Sequence, residues 1–428
     1  MPLKPYTNQV KVSRILKLDK SCISNPKFPN LRLDGPIRNF EISDLRCRIC
    51  PISNFPSTAP VVYSFHTFSK GASMNRALRF GLVAVLVFAA IPLFAQQNVP
   101  PRAKAFETAP DLPYDTVPNF LKLPQNLYLG EGIGVARNSK GHVFVFTRSG
   151  ETRLFEFDQN GNYVREIGQG LYGFEMAHGV RVDSQDNIWA VDEGTNMVIK
   201  FSPEGRVLMT MGRREEAVEG VRATAAPGTP PPPAQPYRFN RPTDVTWDPA
   251  GNIYISDGYG NSRVAKYDKN GRFIKEVGTR GTQPGQMNTP HSITSDAKGN
   301  IYVADRGNRR IQVFDSDLNL IKIYDNVGAP WAVCISPGPH QYLYSSNSNP
   351  DNNDSRLMAV SGEVYKMELD GTIVGKFGKP GKQLGEFSTI HAIDCRNENE
   401  LVVAEITAWR IQKIILKPQH VQTSSKAK

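Results

Sequence analysis

The sequence predicts an all-β protein folded as a six-bladed β-propeller. Residues 239–278 carry an apolar start, a D-x-x-G-N turn, an alternating I-Y-I strand that ends on Asp257, and an Arg-containing turn into another apolar strand. Residues 289–315 repeat nearly the same order. Two adjacent copies of short strands, with a period of about 40 residues, indicate a repeat architecture of the propeller kind.

Six copies of this pattern follow one another along the chain. Their first strands begin at Ile133, His178, Thr243, His291, Trp331 and His391. Turns of the Asn-Gly, Lys-Gly or Glu-Gly type separate the strands, and such dipeptides favour tight antiparallel hairpins. Four strands in each of six units predict a ring in which radial closure protects the sheet edges. The sixth copy stops after its third strand, so we expect the N-terminal segment 121–129 to supply the missing strand.

The propeller is predicted to span residues 120–418, between a Pro-rich lead-in at 96–119 and a polar tail at 419–428. Residues 74–95 begin with Met74, carry Arg76 and Arg79 before an apolar run, and end in small residues, which is typical of a secretory signal peptide. We therefore expect a secreted or periplasmic protein with no stable membrane span after cleavage. The alternative is a membrane anchor, although an apolar run of about 15 residues is short for a span of about 20.

The basic charge of the chain is concentrated before the propeller. Residues 1–73 hold eleven Lys and Arg against four Asp and Glu, and the signal segment adds two arginines. Of the formal charge of +10, about +1 therefore remains after Ala95. A nucleic-acid-binding protein needs a basic surface, so this composition argues against that class. We interpret residues 1–73 as a mis-annotated or disordered leader.

The cysteines do not predict a disulfide scaffold. Three of the five lie in the leader, and the C-R-I-C of residues 47–50 has no second pair to complete a zinc site. Cys334 and Cys395 remain. They lie three and four residues from the starts of their strands, hence on opposite faces, so we expect them not to pair.

Histidine opens every second copy of the repeat, as His178, His291 and His391. Alternate blades of a six-bladed ring stand about 120° apart around the channel, so these imidazoles are predicted to converge on the axis at one depth. Three histidines with an open fourth position form a catalytic type of zinc site. Other divalent metals also accept imidazole ligands.

A second departure from the repeat lies where each second strand ends. Arg148, Tyr259 and Arg306 stand there in the first, third and fourth copies. Because the second strand returns to the mouth from which the first departs, these side chains are expected to surround the same mouth as the histidines. A nearby cation or metal ion favours the phenolate form of a tyrosine, so Tyr259 is a candidate base. The Asp residues that also end these strands are interpreted as turn formers.

At these residues the chain resembles the NHL-type propellers of peptidyl-α-hydroxyglycine α-amidating lyase. The resemblance covers residues 121–416 and rests on HG at His178, VFTR at Arg148, SDGYGNSRV around Tyr259, PHS at His291 and VADRGNRRIQVF around Arg306. It implies zinc held by the three histidines, Tyr259 as catalytic base and the two arginines beside it. The implied substrate is a small peptide or N-acyl carbinolamide, split into an amide and glyoxylate by a protein that we expect to be monomeric.

The resemblance also implies a structural calcium ion, for which this sequence is a poor match. The family uses carbonyls at the positions of Val135 and Val180 and an Asp after the third histidine, where this chain has Ala392. Two other functions remain open from the sequence. One is a non-catalytic NHL propeller that binds a protein or an envelope partner. The other is a propeller hydrolase such as a lactonase, although those sites usually offer carboxylates around calcium.

Overall fold

The structure is a computed structural model that describes residues 108–215, 233–348 and 360–417. The predicted leader, the signal peptide, most of the lead-in and the polar tail lie outside these residues. So do residues 216–232 and 349–359, which belong to insertions between the second and third blades and within the fifth. No helix among the described residues is both long and apolar enough to cross a membrane.

The described residues confirm the six-bladed β-propeller. Their 24 strands form six four-stranded antiparallel sheets. Blade 1 contains β2 (Glu131–Arg137), β3 (Val143–Arg148), β4 (Arg153–Phe157) and β5 (Tyr163–Ile167). Blade 2 contains β6 (Ala177–Val182), β7 (Ile188–Asp192), β8 (Met197–Phe201) and β9 (Val207–Gly212). Blade 3 contains β10 (Asp244–Trp247), β11 (Ile253–Asp257), β12 (Arg263–Tyr267) and β13 (Phe273–Val277).

The second half of the ring has the same construction. Blade 4 contains β14 (Pro290–Ser295), β15 (Ile301–Asp305), β16 (Arg310–Phe314) and β17 (Leu320–Tyr324). Blade 5 contains β18 (Pro330–Ile335), β19 (Tyr342–Asn347), β20 (Glu363–Glu368) and β21 (Ile373–Phe377). Blade 6 contains β22 (Ile390–Asn397), β23 (Glu400–Glu405), β24 (Arg410–Leu416) and β1 (Tyr114–Val117).

The D-x-x-G-N motif explains why each blade turns where it does. In blade 4 the carboxylate of Asp296 accepts hydrogen bonds from the backbone N–H groups of Lys298, at 2.9 Å, and Asn300, at 2.8 Å. Gly299 takes a positive φ of 86°, which glycine adopts without steric cost. The hairpin that follows buries the whole of β15 and β16, whereas the outer strand β17 is mostly exposed. The core therefore lies between neighbouring blades.

The strand that closes the ring comes from the N-terminal side, as predicted, but not from residues 121–129. β1 pairs antiparallel with β24, from Tyr114 opposite Leu416 to Val117 opposite Lys413. Pro124 has no N–H group to donate to a strand, and its carbonyl instead accepts a turn bond from Leu127 at 3.0 Å. The leucines of the predicted segment pack against the core cluster of blades 1 and 6. The propeller therefore begins before residue 120.

The expectation that Cys334 and Cys395 stay apart is wrong, because they form a disulfide with a Cα–Cα distance of 6.0 Å. Cys334 lies in the inner strand of blade 5 and Cys395 in the inner strand of blade 6. Strand alternation does put the two side chains on opposite faces. In a ring, however, the forward face of one blade packs against the backward face of the next, so residues on opposite faces are the ones that meet.

Candidate metal centre and active site

Each axial histidine lies in a β-bulge of an inner strand. The pairing between first and second strands shifts register between Ala177 and Gly179, between Pro290 and Ser292, and between Ile390 and Ala392. The unpaired residue in each case is the histidine. A bulge re-aims the side chain of the extra residue, and bulges are common beside functional sites. A regular strand would point these three residues into an interface between blades. The bulges turn them toward the channel axis instead.

The three imidazoles are oriented by the intervening blades. His178 Nδ1 lies 2.7 Å from the carbonyl oxygen of Thr243, and His291 Nδ1 lies 2.7 Å from that of Trp331. His391 Nδ1 lies 2.8 Å from the carbonyl oxygen of Ile133. A carbonyl oxygen only accepts, so each Nδ1 carries the hydrogen and each Nε2 keeps its lone pair. Such hydrogen bonds fix the tautomer and ring orientation of metal-binding histidines.

The resulting cluster fits a metal ion. One ligand atom from each histidine lies within 4.8 Å of the other two, and all three residues are buried. Burial holds the pKa of His178 and His291 well below the usual range and lowers the pKa of His391 to about 3. The rings are therefore neutral at pH 7, as metal ligation requires. His291 Nε2 is buried without a hydrogen-bond partner among the described residues, which a bound cation would supply.

Tyr259 lies directly against this cluster. Its hydroxyl oxygen is 3.2 Å from His178 Nε2, and its ring centroid is 5.5 Å from that of His178 and 6.1 Å from that of His291. The turn that carries it is packed tightly against blade 4. A Cβ atom on Gly258 would lie 2.1 Å from the carbonyl oxygen of Pro290, so only glycine fits before Tyr259.

Arg306 approaches the same space from blade 4. Its guanidinium carbon lies 4.0 Å from the ring centroid of Trp331 and 5.6 Å from that of Tyr259. The Nη1 atom of Arg306 is buried and has no hydrogen-bond partner among the described residues. A buried, unpaired guanidinium nitrogen is costly, and an anionic ligand would satisfy it. Trp331 contacts both this cation and His291, whose ring centroid is 4.9 Å away.

Arg148, in contrast, is paired with two carboxylates. Its Nε donates to Glu131 at 2.8 Å, and its Nη1 donates to Glu193 at 2.8 Å and to the carbonyl of Ala177 at 3.3 Å. Ala177 precedes His178, which locates Arg148 beside the cluster. The second oxygen of Glu193 accepts a hydrogen bond from Arg241 at 3.3 Å, and the Arg241 guanidinium lies 4.5 Å from the ring centroid of Tyr259.

The structure thus brings the six predicted residues to one end of the channel. Three further residues there were missed from the sequence: Glu193, Arg241 and Trp331. Glu193 left a usable signal in the sequence. It is a carboxylate directly after the Asp that ends a second strand, and no other copy of the repeat has a carboxylate there. Arg241 left none, since a charged residue in a polar loop is ordinarily a surface residue.

The Asp residues that end β7, β11 and β15 are buried, and Asp305 accepts a hydrogen bond from the backbone of Asn288 at 2.7 Å.

The space beneath the histidines does not fit the calcium ion that the resemblance implies. Ala392 offers no carboxylate, and Asp244 has none to spare. Asp244 Oδ1 accepts from Arg181 Nε at 2.9 Å, and Oδ2 accepts from Arg181 Nη2 at 2.5 Å and from Ser292 Oγ at 2.8 Å. Arg181 also donates to the carbonyl of Val333 at 3.1 Å. The guanidinium of Arg181 therefore takes up the Asp244 carboxylate at this depth, so neither Asp244 nor Ala392 provides a carboxylate ligand for a calcium ion.

Comparison with known proteins confirms the repeat. The NHL repeat family matches residues 239–267 and 287–314. The chain is 29% identical over 273 residues to a probable peptidyl-alpha-hydroxyglycine alpha-amidating lyase of Caenorhabditis elegans, spanning 56% of this chain and 73% of that protein. It is 30% identical over 294 residues to NHL repeat-containing protein 3 of Mus musculus, spanning 66% of this chain and 78% of that protein.

A third relative is much longer than the matched region. The chain is 30% identical over 265 residues to peptidyl-glycine alpha-amidating monooxygenase B of Xenopus laevis, but spans only 28% of that protein. Among solved structures, a streptogramin B lyase matches with a TM-score of 0.45 and 18% identity, over 72% of this chain and 98% of that one. The sequence relatives show that the chain belongs to the NHL-repeat propellers and is similar to those named as amidating lyases.

Proposed function

We propose that this propeller is an exported, metal-dependent lyase that cleaves the N–Cα bond of peptidyl-α-hydroxyglycine or a related N-acyl carbinolamide. The products are the amide and glyoxylate. The observation that carries the proposal is the contact between the Tyr259 hydroxyl and a buried cluster of three neutral histidines. A phenol oxygen beside a potential metal centre supplies a proton acceptor where the substrate hydroxyl would bind.

The metal, which we propose to be zinc, would be held by His178, His291 and His391 and would supply Lewis acidity toward the substrate hydroxyl. Tyr259 acts as the phenolate, which neighbouring cations favour, and accepts the proton of that hydroxyl. The C–O bond becomes a carbonyl as the N–Cα bond breaks, and Tyr259 passes the proton to the leaving nitrogen, which becomes the amide. Atoms balance without added water, which distinguishes this lyase from a hydrolase.

The arginines divide two tasks. Arg306 has an unpaired buried nitrogen, so it binds the substrate carboxylate. Arg148 is held by Glu131 and Glu193, which fix its guanidinium beside Tyr259.

Export is supported by the disulfide between Cys334 and Cys395 and by the signal-like residues 74–95. Structural disulfides form and persist in oxidising compartments. Fractionation of the native host tests this: the protein is expected outside the cytoplasm and without peptides from residues 1–95. Recovery of the full chain from the cytoplasm would contradict it.

The reaction is tested by incubating the purified, metal-loaded protein with α-hydroxyhippurate and quantifying both glyoxylate and benzamide. Equal amounts of the two products are expected. A second candidate function, non-catalytic binding of a protein or envelope partner, is favoured by the 30% identity to NHL repeat-containing protein 3, whose name states no reaction. Metal-loaded protein that releases neither product from α-hydroxyhippurate or a hydroxyglycine peptide would favour the binding protein.

A further inference from the structure

Glu193 is a buried carboxylate that joins residues from three blades. Its side chain is 1% exposed, yet its two oxygens face two different arginines. One oxygen accepts from Arg148, at the end of β3 in blade 1, and the other from Arg241, in the segment that leads into blade 3. Burial raises the pKa of Glu193, and the two arginines oppose that rise. A carboxylate in such a place is stabilised only by the cations it holds.

Arg241 differs from the other two arginines in exposure. Its side chain is 49% exposed, against 13% for Arg148. Only its Nη2 is bound, to Glu193, so Nη1 and Nε make no hydrogen bond to the described part of the protein. The guanidinium nevertheless has a fixed place, because it lies 4.5 Å from the ring centroid of Tyr259.

The backbone of Arg241 is also held in an unusual conformation. Its φ is 59°, in the left-handed region that non-glycine residues seldom adopt. Its N–H donates to the side-chain oxygen of Asn196 at 2.7 Å, and its carbonyl accepts from the N–H of Tyr259 at 3.4 Å. Such a conformation persists where neighbouring contacts enforce it, and it occurs often at ligand-binding sites.

The different burial of these arginines predicts how the substrate is oriented in the site. The donors near the histidines, above all Arg306 Nη1, are buried and suit the terminal carboxylate. The acyl part of the substrate must lead outward from there, toward the more exposed donors of Arg241. An extended peptide advances about 3.3–3.6 Å per residue. The backbone carbonyl upstream of the hydroxyglycine would therefore lie only a short distance farther out along this path.

We propose that Arg241 is a specificity-determining residue that binds a backbone carbonyl upstream of the hydroxyglycine, and that Glu193 is the positioning residue that holds it over Tyr259. The preferred substrate is accordingly a peptide rather than a small N-acyl carbinolamide. This inference rests on the proposed lyase function. A guanidinium that donates to a carbonyl supplies binding that a single-acyl substrate cannot use.

The test compares two substrates in three proteins. Wild type, Arg241→Met and the control Lys382→Met are each assayed for glyoxylate release from α-hydroxyhippurate and from an acetylated tripeptide that ends in α-hydroxyglycine. Lys382 is exposed in the loop before blade 6, so its variant removes a positive charge from the same end of the molecule. For Arg241→Met we expect KM for the tripeptide to rise about tenfold, with kcat within about twofold and KM for α-hydroxyhippurate nearly unchanged.

Glu193→Gln separates positioning from general stability. It is expected to raise KM for the tripeptide as Arg241→Met does, and the double variant should show no further rise, because both changes remove one interaction. Equal KM changes for both substrates, or a tripeptide KM like that of wild type, would overturn the inference alone. Wild-type protein that turns over neither substrate would overturn the proposed function and this inference with it.

Discussion

Replacing Tyr259 by phenylalanine removes one oxygen atom and little else. The ring contacts with His178, His291 and Arg241 are made by atoms that phenylalanine keeps. The hydrogen bond of 3.2 Å between the hydroxyl and His178 Nε2 disappears with the oxygen. A hydrogen bond of this kind contributes about 0.5–1.5 kcal/mol to stability, so the variant should fold and melt within a few degrees of wild type.

The catalytic effect should be much larger than the effect on stability. A positioned general base typically contributes about 10²–10⁴-fold, which corresponds to roughly 2.7–5.5 kcal/mol in the activation free energy. Tyr259→Phe should therefore lower kcat for glyoxylate release by at least about 100-fold. Metal content and melting temperature, measured on the same preparations, serve as controls. A kcat within about threefold of wild type, at equal metal content, would refute the role of Tyr259 as proton acceptor.

Four further predictions concern stability. The disulfide between Cys334 and Cys395 closes a loop across 61 residues, so replacing both by serine should cost about 4 kcal/mol in the free energy of unfolding by the chain-entropy relation, measured by urea denaturation; an unchanged midpoint would contradict this. The pKa of His391 is lowered to about 3, so the unfolded chain binds more protons than the folded chain below about pH 6.5. Metal-free protein should therefore lose about 2 kcal/mol in the free energy of unfolding from this residue by pH 5. His391→Asn should show none of that loss. Added calcium should leave the melting temperature of zinc-loaded protein unchanged, and a rise would contradict the absence of a calcium site beneath the histidines. Arg181→Met should lose about 3–5 kcal/mol in the free energy of unfolding because Asp244 stays buried without its partner.

The ring could be predicted because a repeat states the same local structure six times. The D-x-x-G-N turn and the alternating strands specify hairpins by local chemistry, and the spacing of the histidines then follows from the symmetry of the ring. The first strands even begin within two residues of the positions read from the sequence, although the bulges at His178, His291 and His391 have no sequence signal of their own.

Features that depend on contacts between blades could not be read in this way. Pairing of Cys334 with Cys395 follows from how neighbouring blades face one another, which strand alternation does not contain. The closing strand was misplaced because the leucines of residues 121–129 look like a strand but serve as packing against blades 1 and 6. Glu193 acquires its importance only from two arginines that lie 45 and 48 residues away in the chain.

The central claim is that three neutral histidines and Tyr259 form one metal-dependent active site. The most direct measurement is a titration of chelator-treated protein with zinc, in which bound metal and the rate of glyoxylate release from an α-hydroxyglycine peptide are followed together. The rate should rise in proportion to bound zinc and level off near one ion per chain, and His291→Ala should neither retain the ion nor recover the rate. Release of glyoxylate at the full rate by metal-free protein, or no release at one bound ion per chain, would contradict the account.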